Sequence, residues 1–206
     1  MIQRTQLPNK SNESTVYSIF IENFGHVSLK HFDIKRDASI LHTWVNEPYA
    51  FFWGMQGSSL EEVKKEYIEL LKPDHYDIFT GYHNDQPAFF LERYTPSKDI
   101  ISNYYDAKNS DCGVHIIVAP PVQNKIPGFT LHLFQTIMDF VFTNTTIDRI
   151  LVEPDIRNKK MFTLCERIGF VTDKTVELPH KTAQLAFLDK NRYQQQKTHK
   201  LSIHKQ

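Results

Sequence analysis

Cysteine is nearly absent from this chain: Cys112 and Cys165 are the only two in 206 residues. They form no Cys-x-x-Cys metal pair and are too few for a disulfide framework. An excess of one charge is missing as well, since Lys+Arg and Asp+Glu both number 24. That balance argues against a general polyanion binder, so no nucleic-acid partner is expected, although a local basic patch can hide inside a neutral total. No apolar run approaches the roughly 20 residues of a membrane-spanning helix, and "MIQRTQLPNKSNES" lacks the apolar centre of a secretion signal. The expectation is a cytoplasmic, reducing location without a membrane partner. The ten histidines include no HExxH pair, and no segment read as a helix sets a histidine and a carboxylate at i, i+4, so no metal site is expected. Internal repeats and linkers are lacking too, and the length suits one large domain able to bury a core.

What is present reads as a mixed α/β chain. Both ends look loose: a flexible segment over 1–14 and a basic-polar tail over 191–206, with the folded domain spanning 15–190. "VYSIFI" and "VSLKHF" read as strands around an Asn-Phe-Gly turn. "KRDASILHTWVNE" and "SSLEEVKKEYIELLK" read as helices, the second with a Ser cap, Glu61 and Glu62 in its first turn and Pro73 to stop it. Three strands follow ("YDIFTGYH", "QPAFFLERY", "CGVHIIVA"), then a loop and the helix "FTLHLFQTIMDFVFTNT". Strand "DRILVEP", helix "NKKMFTLCERIG" and strands "FVTDKTVEL" and "TAQLAFL" complete the order. Both strand–helix–strand crossovers in the second half are long enough to join neighbouring strands of one sheet.

Three local features carry chemical interest. In "LVEPDIRN", Glu153 and Asp155 flank Pro154 at a strand end. Carboxylates there often face a ligand crevice; the alternative is a solvated turn that caps a helix. The loop "VAPPVQNKIPGF" leads into a helix N-terminus, where free N–H groups and the dipole favour an anion. It holds one glycine, Gly128, beside Ile126 and Pro127, whereas phosphate cradles prefer glycines that let backbone approach the ligand. In "CGVHIIVA", alternation puts Val114, Ile116 and Val118 on one face and His115, Ile117 and Ala119 on the other. A lone strand histidine is ordinarily a satisfied core residue.

Taken in order, several of these segments resemble the GCN5-related N-acetyltransferases, and more narrowly their siderophore-biosynthesis branch of hydroxylysine acetyltransferases and the mycobactin-pathway lysine acyltransferase. The matching stretches are "LHTWVNEPYAFFWGM", "HYDIFTGYHNDQPAFFLERY", "NYYDAKNSDCGVHIIVAPP", "EPDIRN" and "HKTAQLAF". The fold implied is a single GNAT-type α/β domain, with a mixed central sheet splayed at the acyl-CoA site and helices on both faces. The activity implied is transfer of an acetyl or short acyl group from acyl-CoA, a co-substrate and not a bound cofactor. The acceptor would be an N-hydroxylated diamine or N6-hydroxylysine, giving a siderophore hydroxamate. Another amine, such as lysine or an aminoglycoside, is an alternative, though the chain lacks the clustered Asp/Glu that a polycation needs. A non-catalytic CoA-ester binder is another. A monomer or homodimer is expected.

By the same resemblance His115 orients or deprotonates the acceptor and Asp155 is the general base. Ile117, Val118, Asn124, Lys125, Gly128, Phe129, Asn158 and Phe162 contact acyl-CoA, with an oxyanion donor at a backbone N–H near Val118. The loop departs from the family by placing Ile126 where the first glycine belongs, and Pro127 removes an N–H donor; fewer bonds to pyrophosphate are expected. On the acceptor side stand His42 and Trp53, the latter either core or an aromatic wall. Glu92 and Asp111 either bind a distal ammonium or form surface salt bridges. Lys181 either meets a carboxylate or faces solvent. The chemistry is consistent: an alkylamine of pKa roughly 10.4 must lose a proton before it attacks a thioester, whereas a hydroxylamine is already neutral.

Overall fold

Strand β1 (Thr15–Ile21) turns at Asn23 into β2 (Gly25–His31), with Asn23 at φ 61°. The computed structural model describes residues 14–121 and 126–203. Helix α1 (Ile34–Val45) starts at Asp33, whose carboxylate accepts the N–H groups of Lys35 and Arg36. Helix α2 (Leu60–Leu70) starts in a Ser59/Glu62 capping box. Between them a 3₁₀ turn spans Pro48–Trp53. Strands β3 (Tyr76–His83), β4 (Gln86–Tyr94) and β5 (Asp111–Val118) follow, then α3 (Phe129–Phe142), β6 (Arg149–Val152), α4 (Lys159–Ile168), β7 (Val171–Leu178), β8 (Lys181–Asp189) and α5 (Lys190–Ile203).

The eight strands form one sheet in the order β1-β2-β3-β4-β5-β6-β8-β7. Every pairing is antiparallel except β5 with β6, so the expected mixed α/β sheet flanked by helices is present. Strand alternation divides the core. Phe89, Leu91 and Val114 pack with Leu133, Phe134 and Ile137 of α3 on one face. Phe90 and Ile117 pack with Leu41, Trp44, Val63 and Tyr67 on the other. Among the described residues no helix is long and apolar enough to cross a membrane.

Two expectations need correction. The second crossover does not join neighbours: β8 returns from the β7 hairpin and inserts between β6 and β7, pairing Arg149–Val152 with Asp189–Ala186. The tail expected to be loose is helical from Lys190. Tyr193 pins it, since its buried ring carries a hydroxyl that donates to the Gln135 carbonyl (3.1 Å) and Asp139 (3.0 Å) on α3. Lys197 adds an ion pair to Asp139 at 2.6 Å, so an aromatic anchor with a polar tip and a salt bridge hold a helix that lacks apolar periodicity.

The site lies where β5 and β6 part. They pair only over Asp111–Gly113 and Arg149–Leu151, while β5 stays paired with β4 as far as Val118. After Val152 the chain follows β8 instead: Gln184 N–H donates to the Pro154 carbonyl (3.0 Å) and Ile156 N–H to the Thr182 carbonyl (3.1 Å). The far half of β5 therefore has an open edge.

Candidate active site

The open edge borders a cavity of about 2080 Å³. That exceeds the roughly 300–1,000 Å³ of a one-ligand pocket and leaves room for two reactants. One end is walled by β5, the start of α3 at Gly128 and Phe129, and Asn158, Met161 and Leu164 of α4. The other end is walled by Tyr76, Tyr94, Asp99, Leu178, His180 and Lys181, and the 3₁₀ turn carrying Trp53 roofs the space between.

His115 sits at the junction, and sheet register explains its partners. Glu92 is its cross-strand neighbour on β4, and Nδ1 lies 2.9 Å from Glu92 Oε2. Nε2 hydrogen-bonds Glu153 Oε1 from the end of β6. Tyr67 donates to the second Glu92 oxygen at 2.7 Å, Tyr94 to the second Glu153 oxygen at 3.3 Å, and Lys181 Nζ stands 3.6 Å from Glu153. An imidazole with a carboxylate on each nitrogen is best satisfied when both nitrogens carry protons. Burial opposes that charge, but the Glu153 carboxylate and the hydrogen bonds to both glutamates outweigh it and push His115 up to about 10. Burial likewise opposes ionisation of Glu153, yet the imidazolium, with Lys181 and Tyr94, holds it down at about 2.

Asp111, Gly113 and His115 alternate along β5, and each has a physical role. Asp111 is buried and grips Arg149 with both oxygens, at 2.8 and 2.7 Å, tying β5 to β6 just before the splay. Gly113 faces Tyr94 in register, and a Cβ there would lie 2.0 Å from the Tyr94 ring. Its bareness lets that ring cross the strand to reach Glu153. Alternation then turns His115 to the same side as Gly113.

On the opposite part of β5, Ala119 N–H donates to the Ala88 carbonyl (2.8 Å). The antiparallel alternation then turns the Val118 N–H and C=O away from β4, into the splay. The Tyr49 hydroxyl occupies that carbonyl at 2.8 Å. Asn158 caps α4 through its side-chain oxygen, which accepts from Met161 N–H at 3.2 Å.

Of the residues singled out in the sequence, His115, Asp155, Ile117, Val118, Gly128, Phe129, Asn158, Trp53, Glu92 and Lys181 line the cavity. Asn124 and Lys125 lie outside the described residues. Three others stand apart from the cavity lining. His42 is off the cavity, because α1 turns Leu41, Trp44 and Val45 inward and leaves His42 to the side. Asp111 takes the second of its two alternatives, an ion pair, made with Arg149 beside the Tyr105 hydroxyl and buried instead of at the surface. Phe162 is off the wall, which α4 builds from Met161 and Leu164.

Asp155 lines the cavity, but its carboxylate is not bonded to His115. Arg157 holds it in a fork at 2.8 and 2.6 Å, and those bonds keep its carboxyl at about 2. The Arg157 guanidinium lies 5.6 Å from the Phe51 ring and 5.9 Å from Phe52 at the mouth. The carboxylate joined to His115 is Glu153, two residues earlier. Glu-Pro-Asp hinted at this by putting both carboxylates on one side of an extended segment, but only the register decides which one meets the histidine. Tyr67, Tyr94 and Asp99 had no signal in the sequence beyond their type. Cys112 is buried and its thiol is pushed up to about 12 by burial, so it is no nucleophile.

Comparison with known proteins agrees with this geometry. Residues 33–178 match the family model described as "Acetyltransferase (GNAT) domain". The N(6)-hydroxylysine O-acetyltransferase of Escherichia coli is 27% identical over 176 residues, covering 81% of this chain and 53% of that protein. The chain thus spans about half the length of this relative. The N-hydroxyputrescine acetyltransferase of Acinetobacter baumannii is 22% identical, over 87% of this chain and 86% of that one. Among solved structures, an uncharacterized protein from Bacillus halodurans superposes with a TM-score of 0.81 at 29% identity, over 87% of this chain and 92% of that one. This chain belongs to the GNAT acetyltransferase family.

Proposed function

We propose that the chain transfers an acetyl or short acyl group from acyl-CoA to the nitrogen of an N-hydroxylated diamine or of N6-hydroxylysine, forming a hydroxamate for siderophore biosynthesis and iron acquisition. The observation that carries the reading is His115 clasped between Glu92 and Glu153 at the mouth of the β5/β6 splay. An imidazolium already holding both protons is a poor base for an ammonium of pKa roughly 10.4. It suits an acceptor nitrogen that arrives neutral, as a hydroxylamine does.

The neutral nitrogen attacks the thioester carbon, and the carbonyl oxygen takes the negative charge near the Val118 N–H, which faces the splay. The N–H of the resulting tetrahedral adduct is strongly acidic. The Glu153–His115 pair, with both imidazole protons already in place, hands a proton to the departing sulfur and is restored by that N–H. Collapse breaks the C–S bond, and the departing thiolate takes up a proton to leave as the free thiol. Glu92 and Tyr67 hold the ring in place, and Asp155 keeps Arg157 at the mouth. The Ile117–Val118 edge, Gly128, Phe129 and Asn158 would line the acyl-CoA arm. Trp53 and Lys181 would border the acceptor.

The test is release of free thiol from acetyl-CoA with N-hydroxyputrescine, N-hydroxycadaverine, N6-hydroxylysine, their parent amines and one aminoglycoside. Turnover confined to the hydroxylamines is expected. Preference for a parent amine or the aminoglycoside would overturn the hydroxamate assignment, and silence across the panel, with acyl-CoA still bound, would overturn acyl transfer to these acceptors.

A further inference from the structure

We propose that the cavity end beyond His115 holds a second, cationic nitrogen of the acceptor, and that Asp99 reads it. The inference rests on the acyl-transfer reading and narrows its acceptor to a chain with an ammonium four or five methylenes from the nitrogen that is acylated.

Three rings lead from the reaction centre to this carboxylate. His115 lies 5.1 Å from the Tyr94 ring. Tyr94 stacks on Tyr76 at 5.3 Å with 14° between their planes. The Tyr76 hydroxyl lies 3.4 Å from Asp99 Oδ2. A chain of four or five methylenes spans roughly 6–8 Å between its end nitrogens on ordinary bond lengths. With a hydrogen bond of about 3 Å at its far end, it covers the two ring-to-ring steps as far as the Tyr76 ring, whose hydroxyl meets Asp99. Tyrosine faces suit both its methylenes and a cation.

The charges point the same way. Asp111 and Asp155 are each taken by an arginine, whereas among the described residues no lysine or arginine pairs with Asp99. Its Oδ1 caps the short turn that follows, accepting Ile101 N–H at 3.0 Å, and Oδ2 has only the long contact to Tyr76. Glu92, Glu153, His115, Lys181 and His180 face the same space. Glu92 and Glu153 are offset by the His115 imidazolium and Lys181, and burial and the Lys181 charge disfavour protonation of His180. Glu66 of α2 also lines the cavity without a lysine or arginine partner among the described residues, but it stands exposed on its helix. The half-buried Asp99 charge lies at the end of the tyrosine path. An ammonium, with three donors, answers it where a neutral hydroxyl or methyl end does not.

Asp99→Asn tests this, because asparagine can still accept the Ile101 N–H while carrying no charge. Acetyl transfer is compared for N-hydroxycadaverine and N-hydroxypentylamine, which differ only in the distal ammonium. Wild type should favour N-hydroxycadaverine at least about tenfold in kcat/KM, through KM, as expected for a charge-assisted hydrogen bond. In the variant that ratio should fall towards one, a change that a general loss of fold or activity would not produce. A wild-type ratio near one, or a ratio retained in the variant, would overturn the proposal. If neither compound is acetylated, the acyl-transfer reading is what fails. Thermal protection by the two compounds, measured with CoA present, then decides on Asp99: protection by N-hydroxycadaverine lost in the variant upholds it, and absence of protection overturns it.

Discussion

Replacing Glu153 with glutamine keeps the side chain's shape and removes the charge that holds His115 protonated. In the native protein His115 is pushed up to about 10. The stability it contributes is therefore complete below its unfolded value, roughly 6.5, and is lost as pH rises through about 10. Glu153 is held at about 2, so its contribution is complete above its unfolded value, roughly 4.3, and is lost as pH falls through about 2. The pair is at full strength between about pH 4.5 and 6.5. Breaking a buried pair costs about 3–5 kcal/mol. Here Glu92 still faces the ring, so about 2–3 kcal/mol is expected at pH 6. At about 2–4 °C per kcal/mol for a domain of this size, the variant should melt roughly 4–12 °C lower at pH 6. The gap should narrow as pH rises towards 10. Melting curves of both proteins across that range are the assay, with kcat expected to fall about a hundredfold alongside. Equal melting temperatures at pH 6, or a gap that does not change with pH, would refute the idea that Glu153 holds the imidazolium.

Asp155→Asn should reduce kcat by less than about tenfold, since Arg157 occupies both oxygens and general-base losses run about a hundredfold or more. Steady-state kinetics beside Glu153→Gln check this, and a larger loss at Asp155 would restore it as the base. Gly113→Ala should cost about 1–3 kcal/mol by overpacking, because its Cβ would meet the Tyr94 ring at 2.0 Å. Urea denaturation measures it, and an undiminished midpoint would mean the ring has room elsewhere. Ile126 lines the cavity with 38% of its surface exposed, and Ile126→Gly should lower the Kd for acetyl-CoA by up to about tenfold, the worth of one recovered hydrogen bond. Calorimetry reads it, and an unchanged Kd would mean that the isoleucine does not limit the approach.

Much of this protein is local, and that part was legible in the sequence. Strand alternation foretold which side of β5 carries His115, because side-chain direction is set by backbone geometry alone. Helix α2 announced itself through its capping box, and the strands "YDIFTGYH" and "QPAFFLERY" have the bounds expected of them. The motif order indicated the family. Long-range pairing decided the rest. Only the β4/β5 register sets Glu92 opposite His115, and only the departure of the chain after Val152 to follow β8 brings Glu153 to the ring and leaves Asp155 with Arg157. Asp111 and Glu92 looked alike as isolated carboxylates, yet one became a strand tie and the other a partner of the histidine. The tail without helical periodicity is held as a helix because α3 offers acceptors to the Tyr193 hydroxyl and to Lys197. Which carboxylate is a tool and which a fastener depends on what the fold brings within about 3 Å of it, and neighbours in sequence do not determine that.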